Sequence, residues 1–256
     1  MKSKTESKFL ELPYELIDLI ADMLTESDRA ALSNTCRQLY HRLWKPGLKF
    51  KLNTYCRSID AIKWLMDQPV WDEWKNRNEI ISLTAAKYGH MDVLKWAWSQ
   101  GYDYLHENLC IEAAKGGHLE LLQWLRGQKC PWNVWVCDRA AMNGHILVLQ
   151  YAASQGCTLN KVRICYSAAR YGHLEVLQWL HEQGYHLDNY LNGVAAIGGH
   201  LHIVKWFYEQ GVPWDESICN TAIEYGHVEL FHWAKERGCP WDKDYATAKF
   251  GHMATF

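Results

Sequence analysis

The chain carries almost no net charge and lacks any apolar run long enough to cross a membrane. Its 27 basic and 29 acidic residues leave a net charge of −2 over 256 residues and form no long blocks, so nucleic acid binding through bulk electrostatics is not expected. No apolar run approaches the roughly 20 residues that span a bilayer, and the polar residues 1–8 do not resemble a secretory signal. These absences predict a soluble, cytoplasmic protein, with the nucleus as the alternative location.

Sequence signatures of enzymes are missing as well. The phosphate-binding pattern GxxxxGK[ST], the dinucleotide pattern GxGxxG, the zinc-protease pattern HExxH and the hydrolase pattern GxSxG do not occur. Histidine and cysteine are plentiful, but they recur at regular intervals, which argues against a dedicated Cys–His nucleophile. We therefore expect neither catalytic activity nor a cofactor.

What the sequence does contain is a repeat built around the dipeptide Gly-His. It occurs seven times, with its glycines at Gly89, Gly117, Gly144, Gly172, Gly199, Gly226 and Gly251. Self-similarity at a period of about 27 residues indicates a stack of repeated units rather than one globular core. Such stacks present one long face to a partner and seldom form a catalytic pocket.

One unit, residues 164–184, shows the plan of the repeat. Its first half predicts a short helix with the alanine pair at 168–169, and Gly172 ends that helix in a left-handed cap. His173 then opens a second helix with a wide apolar stripe, and Gly184 closes it. An aromatic residue six positions after each histidine is expected in the core between repeats: Trp96, Trp124, Tyr151, Trp179, Trp206 and Trp233, with Trp64 in a degenerate first copy. Trp132, Trp214 and Trp241 follow prolines, where they either cover a helix end or anchor a partner.

Alanine pairs, Gly-His, a Val/Leu-rich second helix and a closing glycine together resemble the ankyrin repeat family. The resemblance covers residues 54–256 as about seven units, of which the first is degenerate and the last is truncated after His252, either by an improvised cap or by truncation of the gene product. The period is shorter than the family's 33 residues, and the Thr-Pro-Leu-His opening is absent. The resemblance therefore implies an all-α array with short loops in place of β-hairpins. Short units of this kind are similar to those of large DNA viruses of amoebae.

The recurring cysteines and histidines are interpreted as structural. Cys110, Cys137, Cys165 and Cys219 occupy one repeat position, and copies of one position lie about 8–10 Å apart, too far for a shared zinc ion or a disulfide. Buried, reduced thiols are expected instead. Each Gly-His histidine sits at a helix start, where a ring nitrogen can bond backbone groups of its own turn, and no metal site is expected.

Comparison of the copies separates a uniform face of the first helix from a variable one. Positions −9, −8, −5 and −4 from each histidine are nearly uniform, whereas −7, −6, −3 and −2 vary. The two sets lie on opposite sides of a helix, so the variable set is predicted to line a concave groove; it includes Asp138, Ser167 and Val194. The predicted target-binding residues, of types favoured in interfaces or charged, are Tyr88, Lys115, Arg139, Met142, Tyr166, Arg170, Tyr171, Glu224 and Tyr225. Unconstrained drift of solvent-exposed positions is the alternative explanation of this variability.

Residues 9–44 do not follow the repeat and predict a small helical bundle. Pro13 is placed to begin a helix with Glu15 in its first turn. The segment resembles the F-box family through Leu12-Pro13-x-Glu15-Leu16, Ile20, Leu24, Asp28, Leu32 and Cys36-Arg37. The resemblance implies docking to the Skp-type adaptor of a cullin–RING ubiquitin ligase through Leu12, Pro13, Glu15, Leu16, Ile20, Leu24 and Leu32. An ordinary helical cap on the first repeat is the alternative, and residues 45–53 form a short linker with a Pro-Gly break.

Two functions follow from this organisation. The first is a substrate receptor of a cullin–RING ligase, monomeric outside that complex, whose F-box docks the adaptor and whose ankyrin-like groove binds an unknown target protein. The second is an ankyrin-repeat scaffold or decoy that binds a host protein without ubiquitination. Neither function involves catalysis by the chain, a nucleic acid or a membrane.

Overall fold

The structure, a computed structural model, describes residues 59–66, 77–101, 106–214, 216–242 and 244. The predicted F-box-like segment 9–44, with its adaptor-contacting residues from Leu12 to Leu32, lies outside the described residues, as do the linker 45–53 and the last Gly-His pair.

The described residues form helices joined by short turns, with no strand among them. In chain order the helices are α1 (Ile59–Met66), α2 (Arg77–Tyr88), α3 (Met91–Ser99), α4 (Glu107–Lys115), α5 (Leu119–Gly127), α6 (Val134–Met142), α7 (Ile146–Ser154), α8 (Lys161–Tyr171), α9 (Leu174–Glu182), α10 (Tyr190–Ile197), α11 (Leu201–Glu209), α12 (Glu216–Tyr225) and α13 (Val228–Glu236). The predicted all-α array with short loops is therefore confirmed.

Helices of two kinds alternate along the array. The even-numbered helices α2 to α12 are the first helices of the repeats, and the odd-numbered helices α3 to α13 are the second helices. Each first helix packs on the second helix that follows it and on the first helices before and after it. Helix α1 falls in the degenerate first copy and contacts α3.

The first helices approach one another more closely than the second helices do. All neighbouring first helices are in close contact, whereas among the second helices from α3 to α13 only α5 and α7 make more than slight contact, and that contact is smaller than any between first helices. The alanine pairs explain this difference, because all are fully buried and their small side chains let helix backbones come close. Closer spacing on one side curves the stack, so the first helices line its concave side.

The first helices start earlier than the periodicity predicted. The helix expected at Ile164 begins at Lys161, where the Asn160 side chain accepts a hydrogen bond from the Arg163 amide at 3.1 Å. Asn133 caps α6 in the same way through the Trp135 amide at 3.0 Å. Asparagine is a favoured helix N-cap, and this local signal adds three residues to the helix.

Within the described part of the chain, no helix is both long and apolar enough to cross a membrane. The second helices are only nine residues long, and each buries an apolar side against neighbouring helices while its other side faces solvent. This amphipathic pattern is that of surface helices that pack one side on a protein core.

Candidate protein-binding face

The open side of the first helices carries the predicted target-binding residues. We call it the first-helix face and define it by the nine predicted residues together with Trp135 and Arg163. All nine predicted side chains are partly or well exposed, and four tyrosines are among the most exposed large side chains: Tyr88 (41%), Tyr166 (45%), Tyr171 (52%) and Tyr225 (52%). The uniform positions are buried, as expected.

Three residues assigned to the variable face are buried instead, and that part of the prediction is wrong. Asp138, Ser167 and Val194 are only 3%, 4% and 6% exposed. They occupy positions −7 or −6, at the border of the open face. Because a first helix is flanked by first helices on both sides, a neighbour can cover such border positions, and a single-helix argument does not include this contact.

The centre of the first-helix face contains a cluster that the sequence comparison missed. Trp135 is 37% exposed, and the Arg163 guanidinium carbon lies 3.9 Å from the centroid of its ring. Arg139 approaches the same ring at 5.8 Å. Both Trp135 and Arg163 stand ten residues before a Gly-His histidine, one position outside the range that was compared.

Beneath this cluster lies the buried carboxylate of Asp138. Arg163 Nε is 2.8 Å from Asp138 Oδ2, with the Arg163 side chain 45% exposed and the Asp138 side chain 4% exposed. Neither carboxylate oxygen receives a well-aligned hydrogen bond from the described residues. Burial raises the pKa of Asp138, and the charges of Arg163 and Arg139 oppose that shift. The ion pair thus fixes the Arg163 side chain on the surface through a buried partner on the preceding first helix.

The Gly-His histidines do not bond their own turn, contrary to the expectation from sequence. None of the described second helices receives a side-chain cap from its histidine. Instead, Nε2 faces a backbone carbonyl near the end of the preceding repeat's first helix, at 2.9 to 3.1 Å: His118 with Lys87, His145 with Lys115, His173 with Met142, His200 with Arg170, and His227 with Ile197. Since a carbonyl only accepts, Nε2 carries the hydrogen.

The glycine of each pair is explained by the same contact. A Cβ atom built on Gly89, Gly117, Gly144, Gly172 or Gly199 would lie 2.5 to 2.8 Å from the ring of the next repeat's histidine. The glycine of one repeat and the histidine of the following repeat therefore form one joint. We call this set of joints the Gly-His ladder.

The described cysteines are buried free thiols, as expected, and all of them except Cys165 are also paired. Hydrogen bonds join Cys110 to Cys130, Cys137 to Cys157 and Cys219 to Cys239. Cys130 and Cys157 in turn donate to the carbonyls of His106 at 3.4 Å and Asn133 at 3.2 Å. The thiol-to-thiol bond raises the pKa of Cys110 and lowers the pKa of Cys130. Comparison of equivalent positions missed these pairs because they join two different positions of the repeat.

The aromatic residues after each histidine lie partly buried against the core, as predicted for the six from Trp96 to Trp233. The side chain of Trp64 lies outside the described residues. Trp132, Trp214 and Trp241 also pack on the core, with Arg126 stacked on Trp132 at 4.2 Å and Trp241 edge-on to Phe231 at 5.3 Å. Covering a helix end is therefore the better interpretation of the tryptophans that follow prolines.

Metal ligands do not converge within the part of the chain that the structure describes. No group of three His, Cys, Asp or Glu side chains there is arranged to hold an ion. What the array offers is a surface of tyrosine, tryptophan and arginine side chains.

Comparisons with known proteins support the fold and no more. Neither the known family patterns nor the curated proteins contain a match to this chain. Among solved structures, the chain is similar to the crystal structure of the human ASB11 ankyrin repeat domain, with 19% sequence identity and a TM-score of 0.52 over 62% of this chain and 84% of that one. The described array therefore has an ankyrin-like fold.

Proposed function

We propose that the array binds a target protein along the first-helix face. The observation that carries this proposal is the face itself, where exposed Tyr88, Tyr166, Tyr171 and Tyr225 line the concave side of an array whose uniform first-helix positions are buried. Stacked repeats use such extended concave surfaces for binding, and tyrosine and arginine are the residue types that dominate binding energies at interfaces.

We further propose that residues 9–44 dock the chain on a Skp-type adaptor of a cullin–RING ligase. What supports this is the agreement of Leu12, Pro13, Glu15, Leu16, Ile20, Leu24 and Leu32 with the F-box pattern, directly before a repeat array that can hold a target. In this arrangement the chain is a substrate receptor, and other subunits transfer the ubiquitin.

Adaptor docking is tested by a pull-down of a purified Skp-type adaptor and cullin with the intact chain and a Leu12→Ala/Pro13→Ala variant. The matched control is Tyr171→Ala/Tyr225→Ala, which changes only the first-helix face. We expect the intact chain and the tyrosine variant to capture the adaptor and the Leu-Pro variant to lose it, with helical content unchanged by circular dichroism. Absence of binding by the intact chain would refute the ligase role and leave the scaffold or decoy as the function.

A further inference from the structure

The charges on the first-helix face are unevenly distributed along the array. Helices α6 and α8 together carry four basic residues, Arg139, Lys161, Arg163 and Arg170, and one acidic residue, Asp138, which gives a net charge of +3. The chain as a whole has a net charge of −2. On either side, α4 carries two acidic residues and one basic residue, α10 carries no charge, and α12 carries two acidic residues. The centre is therefore basic, helices α4 and α12 are net acidic, α10 is neutral, and α2 beyond α4 carries two basic residues and one acidic residue.

Asp138, the acidic residue of the centre, does not prevent the arginines there from binding a partner. Asp138 is buried beneath Arg163 and already paired with its Nε. The Nη groups of Arg163 donate no hydrogen bond to any described residue, and its side chain remains 45% exposed. Arg139 and Arg170 make no ion pair within the described part of the chain. Arg139 Nη1 donates to Met142 Sδ at 3.6 Å, and Arg139 and Arg170 are partly exposed. All three guanidinium groups therefore keep N–H donors for carboxylates from outside.

Two of these guanidinium groups are held in place before any partner arrives. Arg163 stacks on the Trp135 ring and is anchored by Asp138, and Arg139 lies beside the same ring. Side chains that are fixed in advance lose less conformational entropy on binding. A planar guanidinium also matches a carboxylate with two parallel hydrogen bonds.

We propose that the centre of the first-helix face, formed by Arg139, Arg163 and Arg170 with Trp135 and Tyr166, recognises an acidic peptide segment of the target protein. This inference rests on the proposed target-binding role of the face and names its partner class. Spaced carboxylates pair with the guanidinium groups, while the exposed Trp135 and Tyr166 rings pack on apolar parts of the segment.

The surroundings of the cluster favour a peptide over a single-stranded nucleic acid. Arginine and aromatic side chains also bind nucleic acids, but a phosphate backbone carries one charge per nucleotide along its whole length. A nucleic acid strand long enough to follow the face would pass the carboxylates of Glu107 and Glu112 on α4 or of Glu216 and Glu224 on α12, which repel its phosphates. A protein segment can confine its acidic residues to the central part of the face.

The experiment measures fluorescence anisotropy of labelled probes with the full chain at low and at physiological ionic strength. The probes are a short peptide of alternating Glu and Ser, the same peptide with Gln in place of each Glu, and an oligothymidylate of equal length. We expect the Glu peptide to bind at least about tenfold more tightly than the Gln peptide, and to weaken as salt screens the charges. The oligothymidylate is expected to bind no better than the Gln peptide.

The test variant is Arg139→Gln/Arg170→Gln, which removes two cations that make no ion pair among the described residues. Circular dichroism and urea unfolding check that this variant folds, because the charge of Arg139 also favours the ionised form of buried Asp138. The control, Lys95→Gln/Lys205→Gln, removes the same charge from exposed positions on the second helices α3 and α11. We expect the arginine variant to lose about tenfold in affinity for the Glu peptide and the lysine variant to lose less than about twofold. An Arg139→Glu variant, which reverses one charge, should abolish the preference for the Glu peptide.

Each contrary result has a distinct meaning. Equal binding of Glu and Gln peptides would overturn acidic recognition while leaving the face as a target site. Preference for the oligothymidylate would overturn acidic recognition in favour of nucleic acid binding. Equal loss of affinity in both double variants would also overturn it, because the overall charge of the chain would then explain the binding. If no probe binds, the acidic proposal fails, and the adaptor pull-down still reports separately on ligase docking.

Discussion

At the residue scale, the Gly-His ladder explains why glycine and histidine occur together. The alanine-pair, glycine and histidine pattern predicted the turn between two helices correctly, because a left-handed cap is a local property of the chain. The partner of the histidine could not be predicted in this way. It lies on the preceding repeat, about 30 residues away, and only the packing of helices brings the two together.

Substitution of a ladder glycine should cost more than substitution of a glycine that only ends a helix. Gly144 and Gly156 both have positive φ, 73° and 77°, so alanine at either position costs about 1–2 kcal/mol of backbone strain. A Cβ at Gly144 would also lie 2.5 Å from His173 Nδ1, whereas Gly156 has nothing within 4 Å. We expect Gly144→Ala to destabilise the array by at least about 1 kcal/mol more than Gly156→Ala in urea unfolding. Equal losses would show that the ring contact has no energetic role.

A stabilising substitution is expected at Lys129. Every other described repeat closes its second helix with glycine at the equivalent position, and Lys129 adopts the same conformation with φ of 63°, which is strained for a residue with a Cβ. Lys129→Gly relieves this strain but also increases the conformational entropy of the unfolded chain. The net effect should be a free energy of unfolding raised by about 0.5–1 kcal/mol. Gln128→Gly, at a negative φ of −82°, is the control and should destabilise.

At the scale of elements, each histidine ring links the start of a second helix to the end of a first helix in the preceding repeat. For His200 this link joins α11 to α8 through the Arg170 carbonyl at 3.1 Å. The amphipathic pattern of the helices was sufficient to predict which sides are buried. It was insufficient for Asp138, which pairs with Arg163 on the adjacent first helix, and for the border residues Ser167 and Val194. It gave no account of the Trp135–Arg163–Asp138 cluster, because that cluster joins two first helices.

The burial of His200 should make the array sensitive to mild acid. Burial lowers the pKa of His200 below its ordinary value of 6.5, and the bond to Arg170 only partly opposes this. A lowered pKa means that the unfolded chain binds the proton first, so the contribution of His200 is complete above pH 6.5 and is lost as the pH falls. Between about pH 7.5 and about pH 5, urea unfolding should therefore show a larger loss of stability for the native chain than for His200→Gln.

The glutamine in that variant keeps an N–H donor without a titrating group. His186→Gln is the matched control, because His186 is exposed in the loop before α10. The pH dependence of this control should follow that of the native chain. A His200→Gln variant with unchanged pH dependence would contradict the assignment.

At the scale of the whole molecule, stability comes from contacts between neighbouring units. Among the described helices, every extensive contact lies within one repeat or between adjacent repeats, so a complete period can be removed without loss of the contact pattern. The periodicity of the sequence was therefore enough to predict the architecture. The identity of the target was not predictable, since the residues that face it are the ones that the repeat leaves unconstrained.

Deletion of residues 145–172 joins Gly144 to His173 and restores the repeat register. We expect this variant to remain helical and to unfold cooperatively, with a urea m-value lowered roughly in proportion to the shorter chain. Deletion of residues 145–158, about half a period, removes α7 and places two first helices, α6 and α8, in succession. This variant should lose cooperative unfolding, as monitored by circular dichroism. Equivalent behaviour of the two deletions would argue against independent units.

The Gly-His ladder also has a mechanical consequence. A load applied to the two ends of the array passes through every joint in series, because the extensive contacts of the described helices join only adjacent repeats. Under this load, the repeats should therefore unfold one after another, beginning at an end of the array. Each unfolded repeat would release a period of about 27 residues, or about 90 Å of extended chain. Pulling on a partner bound to this surface would therefore unfold the array in several small steps instead of one large step.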